Sequence, residues 1–185
     1  MKFLRKIFDD AHEKLSSNEK TKKFFPLIDA FDTLMFTPNH VTNKGSHIRD
    51  AIDLKRTMML VIIALVPCLL FGIYNTGYQH FRVLNQLADV SFFEIILKGA
   101  FVVLPLVVVS YGAGLLVEFI FAIRNGHTVQ EGFLVSGMLI PLCMPADVPL
   151  WMVAVATMFA VVIGKEVFGG TGMNILNVAL TARAF

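Results

Sequence analysis

Gly132 to Gly164 reads GFLVSGMLIPLCMPADVPLWMVAVATMFAVVIG, thirty-three residues whose only charge is Asp147. As one helix the run would be about 50 Å long, against an apolar bilayer core of about 30 Å. Pro145 and Pro149 bracket Asp147 and break it, because proline removes a backbone donor and collides with the preceding turn. The stretch therefore predicts two short apolar helices, Gly132–Met144 and Leu150–Gly164, joined by a tight turn. Short or Pro-interrupted helices of this kind are how several membrane transporter folds build sites within the bilayer.

Outward from this stretch the rest of the chain is consistent with a polytopic membrane protein. Of its 185 residues 56% are hydrophobic and 16% charged, and its mean hydropathy is +0.67. That composition excludes an ordinary soluble domain. Thr57–Tyr74 is an uncharged run long enough for one crossing, with Asn75–Glu94 as its outer connection, and Gly99–Ile123 predicts a second span. Residues 1–56 hold eleven of the sixteen Lys and Arg, which predicts a cytoplasmic N-terminus. Within that segment Met1–Leu15 and Phe24–Phe36 have helical apolar spacing; the first suits a membrane interface, a partner protein or packing on the protein itself, and the second, interrupted by Asp29 and Asp32, a cytoplasmic surface helix. Arg49, Lys55 and Arg56 stand where anionic lipid head groups would meet them, and basic residues there are also the ordinary topology signal. The expected organisation is thus a cytoplasmic amphipathic segment over 1–56, transmembrane helices over 57–164, and a polar segment over 165–185.

The net charge of +2 gives no basis for nucleic-acid binding. Cys68 and Cys143 lie in apolar runs without metal-ligand spacing, the histidines are scattered, and no metal site is assigned. No catalytic residue is assigned either. The informative charge is Glu118, set among Leu115, Leu116, Val117, Phe119 and Ile120. An ionisable residue in a span is expensive and marks an ion path by default; alternatively, Glu118 pairs at the interface near Arg124. Ser110, Gly114 and Glu118 recur at i, i+4 and i+8 beside Tyr111, a small and polar stripe that should face the bundle interior.

The polar segment Lys165–Phe185, KEVFGGTGMNILNVALTARAF, contains three glycines and two asparagines. Gly169, Gly170 and Gly172 permit positive φ and close backbone approach. Asn174 and Asn177 would share one face of a helix and offer donors and acceptors to a polar heterocycle. The alternative is a glycine turn between helices with the asparagines as caps.

This segment resembles NqrB, the B component of the sodium-translocating NADH:quinone oxidoreductase (Nqr), whose pattern runs K-E-V-F-G-G-T-G-x-N-x-L-N-P-A-L-x-x-R-A-F. Val178 replaces the family proline. Ser46–Arg56, SHIRDAIDLKR, resembles the pre-membrane motif of the same component. The resemblance implies an all-α, broken-helix, inverted-repeat bundle of which this chain supplies about the first half, the chain being truncated after the polar segment. It implies a translocase component in the bacterial inner membrane, passing electrons from NADH through flavins to a ubiquinone-type quinone with Na+ export. Partners are then the other Nqr subunits, quinone, Na+ and lipids, and the chain alone would be inactive. Residue by residue, Asn174 and Asn177, with Gly170 and Gly172, match positions that hold a non-covalent riboflavin. Glu118 matches an acidic residue implicated in sodium uptake. Gly114 matches the first of a glycine pair associated with quinone, with Leu115 in place of the second. The covalent FMN is expected on a threonine beyond this chain, so Thr171 is not its attachment site. Quinone is also placed near the N-terminal segment.

RnfD, the paralogous component of the Rnf electron-transport complex, has K-x-x-Y-G-G-x-G-x-N-x-F-N-P, and Glu166, Phe168, Thr171 and the closing Arg-Ala-Phe favour the first assignment. A channel or transporter of similar architecture without redox chemistry is the rival of another class, distinguished by bound flavin absorbance. A small assembly protein is a third option.

Overall fold

A computed structural model describes residues 45, 54–86, 90–125, 132–170 and 172–185. The amphipathic segments Met1–Leu15 and Phe24–Phe36, with Arg49 and Thr171, lie outside these. Among the described residues all regular structure is helical: α1 Leu54–Val83, α2 Phe92–Asn125, α3 Gly132–Cys143, α4 Leu150–Gly164 and α5 Val178–Ala184, with a 3₁₀ turn at Glu166–Phe168. Three helical stretches, Arg56–Val83, Phe92–Arg124 and Leu150–Phe168, are long and apolar enough to cross a membrane. The chain divides into two compact units, residues 1–57 with 118–130 and residues 58–117 with 131–185.

In the second unit α3 and α4 end and begin within a residue of the expected break, with Pro145–Pro149 in the turn between them. Their 12 and 15 residues correspond to about 18 and 22 Å, each short of the bilayer core. The short α5 packs against both. Near its C-terminal end the Arg183 guanidinium donates to the Cys143 carbonyl at 2.8 Å. It thereby covers one of the carbonyls that the C-terminus of α3 cannot satisfy internally.

The first two spans are longer than expected, and the outer connection is correspondingly shorter. Helix α1 runs on through Asn75–Gly77 to Val83, and α2 begins at Phe92 instead of Gly99. Two features explain the extension. Glu94 makes the return half of a capping box, in which the Ser91 N–H donates to Glu94 Oε2 at 3.0 Å at the start of the helix. Then α1 and α2 cross backbone to backbone. A Cβ on Gly77 would land on the Ile95 carbonyl, and one on Gly99 on the Ile73 carbonyl. Such a crossing requires helix on both sides of each glycine, and glycine is what admits it. Tyr74 adds a ring contact to Phe92, with centroids 5.7 Å apart.

The outside of this unit is apolar. Phe71 is 68% exposed and Phe101 72%, an exterior suited to lipid or to further apolar protein and not to water. Cys68 lies on that exterior, not in the packed interior, while Cys143 is half-buried; both are free thiols.

Candidate functional site

The small and polar stripe of α2 faces inward, as its spacing requires. Ser110, Gly114 and Glu118 are all buried. Within the second unit the stripe is the seam against α3. The Tyr111 hydroxyl donates to the Leu134 carbonyl at 2.6 Å, and the Ser110 hydroxyl donates to the Gly137 carbonyl at 3.1 Å. The second bond has a specific cause. Gly137 stands four residues before Pro141, which lies inside α3 and has no N–H to return to that carbonyl. Ser110 supplies the missing donor in a place where water does not.

Gly114 serves the same seam by its lack of a side chain. A Cβ there would overlap the Phe133 ring, which is 1% exposed. The Tyr111 and Phe133 rings meet edge to face, with centroids 6.3 Å apart. The immediate neighbour of Gly114 is therefore an aromatic side chain of the protein.

Glu118 belongs to the first unit, on the last turns of α2. It is 3% exposed, and Ala122, one turn further, is 1% exposed. A carboxylate so enclosed on an apolar span is the arrangement that the sequence singles out.

The polar segment departs from the helical face expected for Asn174 and Asn177. After α4 ends, Gly169, Gly170 and Gly172 take φ of +108°, +94° and +94°, the left-handed region open to glycine at little cost. The Gly170 N–H returns to the Lys165 carbonyl at 3.1 Å and the Met173 N–H to the Gly170 carbonyl at 3.2 Å. The chain thus doubles back before Asn174 and forms no helix there. Asn174 Oδ1 accepts from the Gly172 N–H, and its Nδ2 donates to the Leu176 carbonyl, both at 3.3 Å. Asn177 is the N-cap of α5, its Oδ1 accepting from the Leu180 N–H at 3.2 Å. The capping alternative therefore describes Asn177. Val178, in place of the family proline, occupies the first helical position and is buried. The helix starts there without the fixed φ of proline.

Asn174 and Asn177 nevertheless meet at one cavity of about 240 Å³. Its polar wall is Ser136, Lys165, Asn174 and Asn177, and Val135 and Leu139 of α3 contribute to its apolar wall. Gly170 and Gly172 do not line it. Gly170 is buried in the turn behind Asn174, and Gly172 is exposed with open space around its Cβ position. They shape the turn that presents the asparagines. Lys165 is the residue that sequence reasoning left out of the site. A Lys-Glu pair ending an apolar run, three residues before the glycines begin, was the available signal.

The sequence is similar to that of known proteins. The sequence model of the NQR2, RnfD, RnfE family matches residues 41–185. The chain belongs to this family. It is 40% identical over 201 aligned residues to the B component (NqrB) of the Na(+)-translocating NADH-quinone reductase of Chlamydia caviae, covering 97% of this chain and 40% of that protein. Proteins of the same name from Chromohalobacter salexigens and Pseudomonas aeruginosa are 39% and 37% identical, each across 98% of this chain. The chain covers 49% and 50% of those two proteins, so it spans half or less of the relatives it matches.

Proposed function

We propose that this chain forms the N-terminal portion of NqrB in a sodium-translocating NADH:quinone oxidoreductase of the bacterial inner membrane, with its N-terminus cytoplasmic. Relatives carrying that name align with nearly the whole of it. The complex would couple electron transfer from NADH, through flavins, to a ubiquinone-type quinone with Na+ export. Its other subunits, quinone, Na+ and lipid are then the partners of this chain.

The observation that carries the ion-transport reading is the burial of Glu118 on an apolar span. A carboxylate on an apolar span attracts cations through a medium that attenuates charge far less than water does. Glu118 thus acts as the entry ligand for Na+. The flavin reading rests on the cavity at the polar segment. Its size falls below the roughly 300–1,000 Å³ common for small-molecule sites, so it would take the polar edge of a riboflavin ring and leave the remainder outside. The residues present fit that edge: two amides with donors and acceptors, a hydroxyl and an ammonium. Asn174 and Asn177 would hold the ring edge, the turn through Gly170 and Gly172 positions both asparagines, and Val135 and Leu139 of α3 would help exclude water. Riboflavin, when bound, supplies one- or two-electron redox chemistry. The covalent FMN that the family resemblance implies is placed on no residue of this chain. The assignment of the quinone to the N-terminal segment and the Gly114 region rests on family resemblance, and Gly114 would act there through the seat it gives Phe133.

The test is sodium-dependent quinone reduction by the assembled complex. Glu118→Ala should raise the Na+ concentration for half-maximal rate at least tenfold with flavin content intact, and Glu118→Asp should recover part of the loss. An unchanged sodium dependence in Glu118→Ala would remove Glu118 from the ion path.

A further inference from the structure

Lys165 terminates α4 and is 3% exposed, yet it lines the cavity that Asn174 and Asn177 share. Among the described residues it is the one ionisable side chain in the cavity wall. Glu166 Oε1 lies 3.9 Å from Lys165 Nζ, and their side chains are 4% and 7% exposed. Lys165 thus brings a cation to the wall, and the carboxylate of Glu166 is not among the lining groups.

We propose that Lys165 sets the charge preference of this cavity and thereby raises the reduction potential of the ring bound there. The proposal rests on the reading of the cavity as a riboflavin site. A flavin ring that takes up two electrons and one proton carries one net negative charge, and a second proton from water would cancel it. An ammonium in the wall of a cavity within the protein favours the charged form, since Coulomb attraction there is less attenuated than in water. The oxidised ring is neutral and gains less from the same cation. Lys165 therefore binds the reduced ring more tightly than the oxidised one. Glu166, by partly offsetting the ammonium, limits the difference.

The experiment uses the purified complex, with riboflavin identified as the flavin released on acid precipitation. Its midpoint is followed by absorbance during titration with dithionite, which supplies the electrons. Lys165→Met should keep riboflavin but lose about tenfold in the preference for the reduced ring, a downward shift of about 30 mV for a two-electron couple. Lys165→Arg, which retains the charge, should stay near the wild-type midpoint. Glu166→Gln should move it upward, an opposite sign that a merely structural lysine would not give. A normal riboflavin content with an unmoved midpoint in Lys165→Met overturns the proposal and leaves the flavin site standing. If Lys165→Met does not assemble, an unmoved midpoint in Glu166→Gln overturns it equally. Wild-type complex that releases no riboflavin would defeat the reading of the cavity itself, and this inference with it.

Discussion

The seam between α2 and α3 and the turn from Lys165 to Asn177 are both polar interruptions of an apolar protein, and they use their polar groups in opposite ways. At the seam each hydroxyl is matched to a backbone carbonyl, Ser110 to Gly137 and Tyr111 to Leu134, and the space left by Gly114 is filled by Phe133. At the turn Asn174 and Asn177 make bonds of 3.2–3.3 Å to nearby backbone while remaining exposed on a cavity. An amide has more hydrogen-bonding capacity than these contacts use. The difference separates a polar group that closes the fold from one still able to receive a ligand.

Filling the seam should have the largest effect. Gly114→Ala places a methyl group within the Phe133 ring, and neither helix can yield without breaking the Ser110 and Tyr111 bonds. Overpacking of this kind costs about 1–3 kcal/mol. A clear fall in the thermal midpoint of the detergent-solubilised complex is expected, and Phe133→Leu in the same chain should recover much of it. Failure of the smaller side chain to rescue would mean that Gly114 is needed for something other than the room it gives.

The next effect tests why a hydroxyl stands at position 110. Ser110→Ala leaves the Gly137 carbonyl buried without its donor, at about 1–3 kcal/mol. Pro141→Ala restores an N–H to the same carbonyl from within α3. The double variant should therefore lose less than Ser110→Ala alone, a coupling read by comparing the unfolding midpoints of the four proteins. Additive losses would sever Ser110 from Pro141.

How much of this could be read from the sequence follows the range of each interaction. The proline break, the inward stripe of α2 and the positive φ of the glycines are local, fixed by spacing within one turn or by residue type. The crossing of Gly77 with Gly99 joins positions on different helices, and nothing near either glycine announces its partner. The polar look of Asn75–Gln79 therefore read as a loop when tertiary packing holds it helical. The capping-box spacing of Ser91 and Glu94 was a local signal for the true start of α2. The shared helical face of Asn174 and Asn177 failed because the glycine turn reverses the chain just before them. What brings both to one cavity is the fold of α3 and α4, which their own spacing does not encode.

Asn177 tests the comparison most finely, because it caps a helix and also faces the cavity. Asn177→Ala removes both roles and should cost about 0.5–2 kcal/mol through the lost cap alone. Asn177→Asp keeps the oxygen that accepts from the Leu180 N–H and favours the positive end of α5, but it exchanges the amide donor for a carboxylate. Thermal stability in Asn177→Asp should stay within about 0.5 kcal/mol of wild type, the range of a tolerated surface change. Riboflavin recovered from the complex should fall severalfold all the same, since the cavity has lost a donor and gained negative charge. A variant that keeps both its stability and its riboflavin would return Asn177 to the class of the seam, a polar side chain fully employed in holding the fold.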